Sequence, residues 1–146
     1  MIEFRTFEPQ DDAACRAIAA EAAMTSYGRA MPELRHVFSP QTPLDAAEWR
    51  WVALVDGVVA AFIEMNGHHV ENLFVAAHHQ GKGLGRALLE QAEARTQGTI
   101  TLTVFQANPR ARSLYERQGY VVQESRTIRF HGVEQGTWFM SKTLAD

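Results

Sequence analysis

A single cysteine, Cys15, rules out an internal disulfide, so burial and backbone hydrogen bonding must hold this chain together. Its neighbours Ala14, Ala17 and Ile18 mark it as a small buried apolar residue. A lone thiol agrees with a reducing compartment, and a cytoplasmic protein is expected. No run is long and apolar enough to span a bilayer. The start, Met1-Ile2-Glu3-Phe4-Arg5, lacks the basic residues and apolar stretch of a secretory leader. A mature, soluble chain with no membrane partner is therefore expected. Basic excess is missing as well: the formal charge is −3, against the cationic balance of general nucleic-acid binders. No nucleic-acid partner is expected. Repeats and low-complexity tracts are absent. The pairs His68-His69 and His78-His79 have no cysteine or carboxylate partners at zinc spacings, and adjacent strand residues point to opposite faces. No metal is expected.

What is present is an ordinary globular composition, 46% hydrophobic and 21% charged. The 146 residues suffice for one domain, read as 1–146, with a core that needs no staples. Ile2 to Phe7 alternates as a strand, with Ile2, Phe4 and Thr6 on one face. Pro9 breaks it, and Asp11-Asp12 favour a helix start. Ala13, Ala14, Ala17, Ile18 and Glu21 then give a thin helical stripe. Pro32, Pro40 and Pro43 leave room for one short helix, Glu33 to Phe38. Three strands follow, Trp49 to Val55, Val58 to Met65 and Val70 to Val75, separated by the turn signals Asp56-Gly57 and Asn66-Gly67. That is an antiparallel meander.

The period changes at Gly81. Leu84, Ala87, Leu88, Gln91 and Ala92 share one helix face, with Lys82, Arg86, Glu90 and Glu93 opposite, and the helix is expected to reach about Gln97. Ile100 to Phe105 is the next strand. Asn108-Pro109 supplies a cap and a first-turn proline for a helix reaching Gln118, with Gly119 as its stop. Tyr120 to Phe130 and Thr137 to Leu144 form a closing hairpin around His131-Gly132. A strand, helix, strand unit inside a meander implies a mixed α/β (α+β) sheet with one parallel pair. Trp49 and Trp51 share a strand face, and they and Trp138 are read as core or sheet-surface residues. Arg86–Glu90 and Arg112–Glu116 are read as solvated helix pairs.

The loop Gln80-Gly81-Lys82-Gly83-Leu84-Gly85-Arg86 lies between a strand and a helix. Alternate glycines let the backbone turn tightly and approach a ligand, and the helix start offers unpaired N–H groups to an anion. Lys82 and Arg86 add positive charge. A phosphate-bearing ligand follows, but the nucleotide P-loop and the dinucleotide fingerprint both fail on spacing.

These residues resemble the GNAT superfamily of N-acetyltransferases. Gln80, Gly83 and Gly85 match its glycine signature, Val70 to Val75 looks like its cofactor strand, and Asn108 to Tyr120 resembles its second cofactor motif. The specific similarity covers residues 70–121. It implies a twisted, mixed, mostly antiparallel sheet flanked by helices, with a V-shaped splay between the strands at 70–75 and 100–105. It also implies acetyl-CoA as cosubstrate in that opening. Leu73, Phe74 and Val75 would meet the pantetheine arm, Gln80, Gly81, Lys82, Gly83, Leu84, Gly85 and Arg86 the diphosphate, and Asn108 the far wall.

The implied reaction is direct attack of a primary amine on the thioester through a tetrahedral intermediate, with a small-molecule acceptor slightly favoured over a protein amine. A non-catalytic acyl-CoA sensor is the alternative. Tyr115 shares a helix face with Ala111, Leu114 and Gln118, and the resemblance puts its hydroxyl near the sulfur as general acid. Amines are largely protonated at neutral pH, so a base is useful. Glu71 and His69 are candidates, placed by the period of two on the same face as Leu73 and Val75. The glutamate used by some family members falls at His69. Glu64, one strand earlier, competes; Thr103 cannot act as a base. A monomer or a homodimer is expected.

Overall fold

The computed structural model describes residues 1–26, 32 and 39–144, and the short helix expected at 33–38 lies outside the described residues. Strands form where β-branched and aromatic residues cluster: β1 (Ile2–Thr6), β2 (Trp49–Val55), β3 (Val58–Asn66), β4 (His69–Val75), β5 (Thr99–Phe105), β6 (Val121–Phe130) and β7 (Val133–Thr143). They make one seven-stranded sheet in the order β1-β2-β3-β4-β5-β7-β6. β4 and β5 run parallel; the other neighbours are antiparallel. Helices α1 (Asp12–Ser26), α2 (Leu84–Ala94) and α3 (Pro109–Arg117) flank it. The mixed sheet read from the sequence is the one observed.

Two hydrophobic clusters occupy the two faces of the sheet. On one, Leu84, Leu88, Leu89 and Ala92 of α2 and Tyr115 of α3 pack on Ile63, Met65, Val70, Leu102 and Met140. Each leucine so buried contributes about 1.5–3 kcal/mol. On the other, Cys15 and Ile18 of α1 pack on Val52, Leu54 and Phe62. Burial raises the Cys15 thiol to about 12, which makes it inert.

Four details depart from the expected pattern. The buried stripe of α1 runs through Cys15, Ile18 and Ala23, while Ala13 and Ala17 are exposed; alanine fits either side, so its spacing carries little information. Helix α2 ends at Ala94, because the amides of Arg95 and Thr96 reach back three residues and the Thr96 hydroxyl bonds the Ala92 carbonyl at 2.8 Å. Glu93 is not on a solvated face: it accepts from the Tyr120 hydroxyl and from Lys142, each at 2.9 Å. Finally, β7 begins at Val133, four residues early. His131 and Gly132, with φ of 48° and 84°, form a two-residue turn that pairs the arms at once. Gly136 weakens the strand signal; a Cβ there would lie 2.5 Å from the end of the Gln106 side chain, which would have to shift.

Candidate active site

The parallel pair is short. His69 opposes Thr101 and Val70 opposes Leu102, and beyond them β4 and β5 diverge. The V-shaped opening has a volume of about 1180 Å³. One wall is β4 and the loop after it; the other is β5 and α3.

The β4 wall offers backbone. The Ala76 amide bonds the Ala60 carbonyl at 2.8 Å, and Phe74 and Asn72 oppose Phe62 and Glu64. Bonding alternates along an antiparallel strand, so these even positions face β3 while Leu73 and Val75 turn their N–H and C=O groups to the opening. The register also contains a bulge. Met65 opposes Val70, but Glu64 opposes Asn72, which leaves Glu71 as the extra residue.

This bulge corrects the face assignment made from a strict period of two. Val70, Leu73 and Val75 pack with the cluster under α2. His69 lies on the opposite face, its ring parallel to Phe139 at 6.3 Å and its Nδ1 2.8 Å from the Thr101 hydroxyl. Burial lowers its pKa, so the imidazole is neutral near pH 7. It sits at the closed vertex. Glu71, exposed on the bulge, does line the opening and is the one carboxylate that does so among the described residues. Glu64 is 1% exposed; Arg50 Nε donates to it at 2.6 Å, Arg50 Nη2 also approaches it, and Asn72 Nδ2 donates at 2.8 Å. Burial raises its pKa and these bonds oppose the rise. With both oxygens engaged, Glu64 is a structural acid.

At the mouth the chain makes a short 3-10 turn, Ala77–His79, and then the glycine loop into α2. Gly81 and Gly83 have φ of 83° and 79°, and a Cβ on either would meet nothing within 4 Å. The loop therefore stands clear of the protein, with backbone geometry that side-chain-bearing residues resist. Gln80, Gly81, Gly83, Leu84, Gly85 and Arg86 line the opening; Lys82 does not, and its ammonium donates to His79 Nδ1 at 2.8 Å.

The second wall offers side chains. Asn108 accepts from the Ala111 amide at 3.2 Å and so caps α3 while lining the opening. Tyr115 is 8% exposed, edge-on to Tyr120 at 6.0 Å. Burial raises its phenol to about 12, so at neutral pH it is a donor and not a base. Arg110 and Arg117 also line this side, and with Arg86 they make a cationic opening in an acidic chain. Sequence reading passed over both arginines, as it did Ala22 and Thr25 of α1 at the rim. Only the arginine-rich composition of α3 hinted at the former.

Among the described residues, no group of three His, Cys, Asp or Glu is arranged to hold a metal, and no helix is long and apolar enough to cross a membrane. Trp49 and Trp51 stack at 5.6 Å on the sheet, with the Arg95 guanidinium above both. Arg112 covers Trp138 at 4.6 Å.

Residues 19–141 match the family described as acetyltransferase (GNAT) domain. The chain is 31% identical over 98 residues to the peptidyl-lysine N-acetyltransferase YjaB of Salmonella typhimurium, a match covering 66% of this chain and 63% of the relative, less than two thirds of its length. Among solved structures, apo YjaB from Escherichia coli superposes with a TM-score of 0.78 at 21% identity, covering 99% of both chains. The PaiA N-acetyltransferase of Thermoplasma acidophilum, in complex with coenzyme A, gives 0.72 at 19% identity, covering 98% of this chain and 99% of that one.

Proposed function

The chain belongs to the GNAT acetyltransferases, and on that premise we propose that it moves the acetyl group of acetyl-CoA to a primary alkylamine. The observation that carries the reading is the opening itself: unpaired main-chain groups along one wall, an amide-lined loop at its mouth and a buried, protonated tyrosine on the other. The dimensions agree with an extended arm. From Glu71 to Val75 the strand spans roughly 13 Å, so a pantetheine chain starting at the glycine loop would bring its thioester toward the vertex, beside Tyr115. Arg86, Arg110 and Arg117 supply charge for phosphates. The PaiA relative was solved with coenzyme A, which supports the same ligand here.

In this mechanism Glu71 takes a proton from the incoming ammonium, directly or through water, and the neutral nitrogen attacks the carbonyl carbon. The Leu73 amide of β4, which faces the opening, stabilises the oxyanion. As the C–S bond breaks, the Tyr115 hydroxyl donates its proton to the leaving thiolate, and the proton shed by the attacking nitrogen, relayed through water, restores the phenol. His69 stays at the vertex, where its neutral ring positions β4 against β5 and Phe139. The name of the YjaB relative supports a peptidyl-lysine side chain as acceptor, ahead of the free amine favoured from the sequence. Acetyl-CoA offered with lysine-containing peptides and with small amines, followed by thiol release and mass spectrometry, tests both. Tight coenzyme A binding without turnover on any amine would leave a sensor and sink the enzyme.

A further inference from the structure

The 3-10 turn that delivers the chain into the glycine loop has no cap of its own. Its N-cap residue is Ala76, which has no side-chain acceptor. The acceptor comes from 56 residues away: Oε1 of Glu21, on α1, takes the hydrogen bond of the Ala77 amide at 2.8 Å. One turn of α1 also places Ala22 and Thr25 at the rim of the same opening. Glu21 is exposed, and among the described residues it has no salt-bridge partner. Its location is electrostatically awkward, because a negative charge beside a loop built for phosphates weakens anion binding. A carboxylate there makes sense through the bond that it accepts.

We infer that Glu21 is a positioning residue for the cosubstrate: it fixes the start of the Ala77–His79 turn, hence the aim of the loop amides, and ties that loop to α1. This rests on acetyl-CoA occupying the opening. Since α1 leads into residues 27–48, the tie also links the diphosphate loop to the segment that follows α1.

Titration of coenzyme A into the wild-type chain and into Glu21→Ala, Glu21→Gln and Glu21→Asp, with steady-state kinetics alongside, tests it. Glutamine keeps an acceptor at the same reach and should bind as tightly as wild type or more so. Alanine lacks the acceptor and aspartate is too short; both should weaken binding roughly fivefold and raise the KM for acetyl-CoA equally, with kcat and thermal midpoint nearly unchanged. Aspartate keeps the charge, so it reports on the bond even if alanine folds poorly. Wild-type affinity in the alanine and aspartate variants would overturn the proposal, as would a glutamine variant as weak as alanine. Failure of the wild-type chain to bind coenzyme A would instead overturn the reading of the opening, and the proposal with it.

Discussion

The two walls of the opening work by different chemistry. The β4 wall and its loop present main-chain groups, freed because β5 diverges after two residue pairs; the α3 wall presents the side chains of Asn108, Arg110 and Tyr115. A wall of amides depends on conformation and not on residue identity, whereas a wall of side chains depends on each functional group. The contrast is one of sensitivity. Substitution should hurt the first wall only where it changes the backbone path, and the second wherever it removes a polar atom.

The largest effect should come from Gly83→Val. Valine at φ 79° is strained, and its side chain would enter the open space over the loop. Calorimetry should find coenzyme A binding lost; retained affinity would mean that this loop is not an amide cradle. Next comes Tyr115→Phe, which removes one atom from the side-chain wall. It should lower kcat by roughly 100-fold while coenzyme A affinity stays within a factor of two of wild type, about 0.4 kcal/mol. A fall in affinity as large as the fall in kcat would erase the distinction between the walls.

Glu71→Gln should cost about tenfold in kcat/KM at pH 7. Its deficit should shrink as pH rises toward about 10, where a lysine-like acceptor loses its own proton. A deficit constant across that range would remove Glu71 from the role of base. The smallest effect belongs to Leu73→Val. The Leu73 side chain is half-buried against the core, and its main chain is the part asked to bond the ligand. Stability should drop by about 1 kcal/mol with kinetics near wild type, read by thermal melts beside initial rates. A large loss of kcat would show that the first wall also uses side chains.

The same contrast explains what was legible. Local signals gave the helix of the side-chain wall, capped by Asn108 before Pro109, while the roles of Asn108 and Tyr115 came from the family resemblance and Arg110 was not read at all. The glycine loop was legible because glycine reports directly on backbone freedom. Strand order and the one parallel pair followed from turn residues and the change of period. The face of β4 was misread because a strict period of two was laid across Val70-Glu71-Asn72-Leu73, where two polar residues in succession break the alternation at the bulge. Glu21 was missed for another reason. Its bond spans 56 residues to a backbone amide, and nothing in a local pattern encodes such a contact.

The odd residue at Glu71 makes the length of β4 as consequential as its composition. Deleting Glu71 would pair Val70 and Asn72 with Met65 and Glu64 in unbroken succession and leave His69 and Val70 on their present faces. Such a deletion should therefore spare the core while it removes the bulge and, with it, the Glu71 carboxylate from the opening, so its cost should appear in turnover and not in the thermal midpoint.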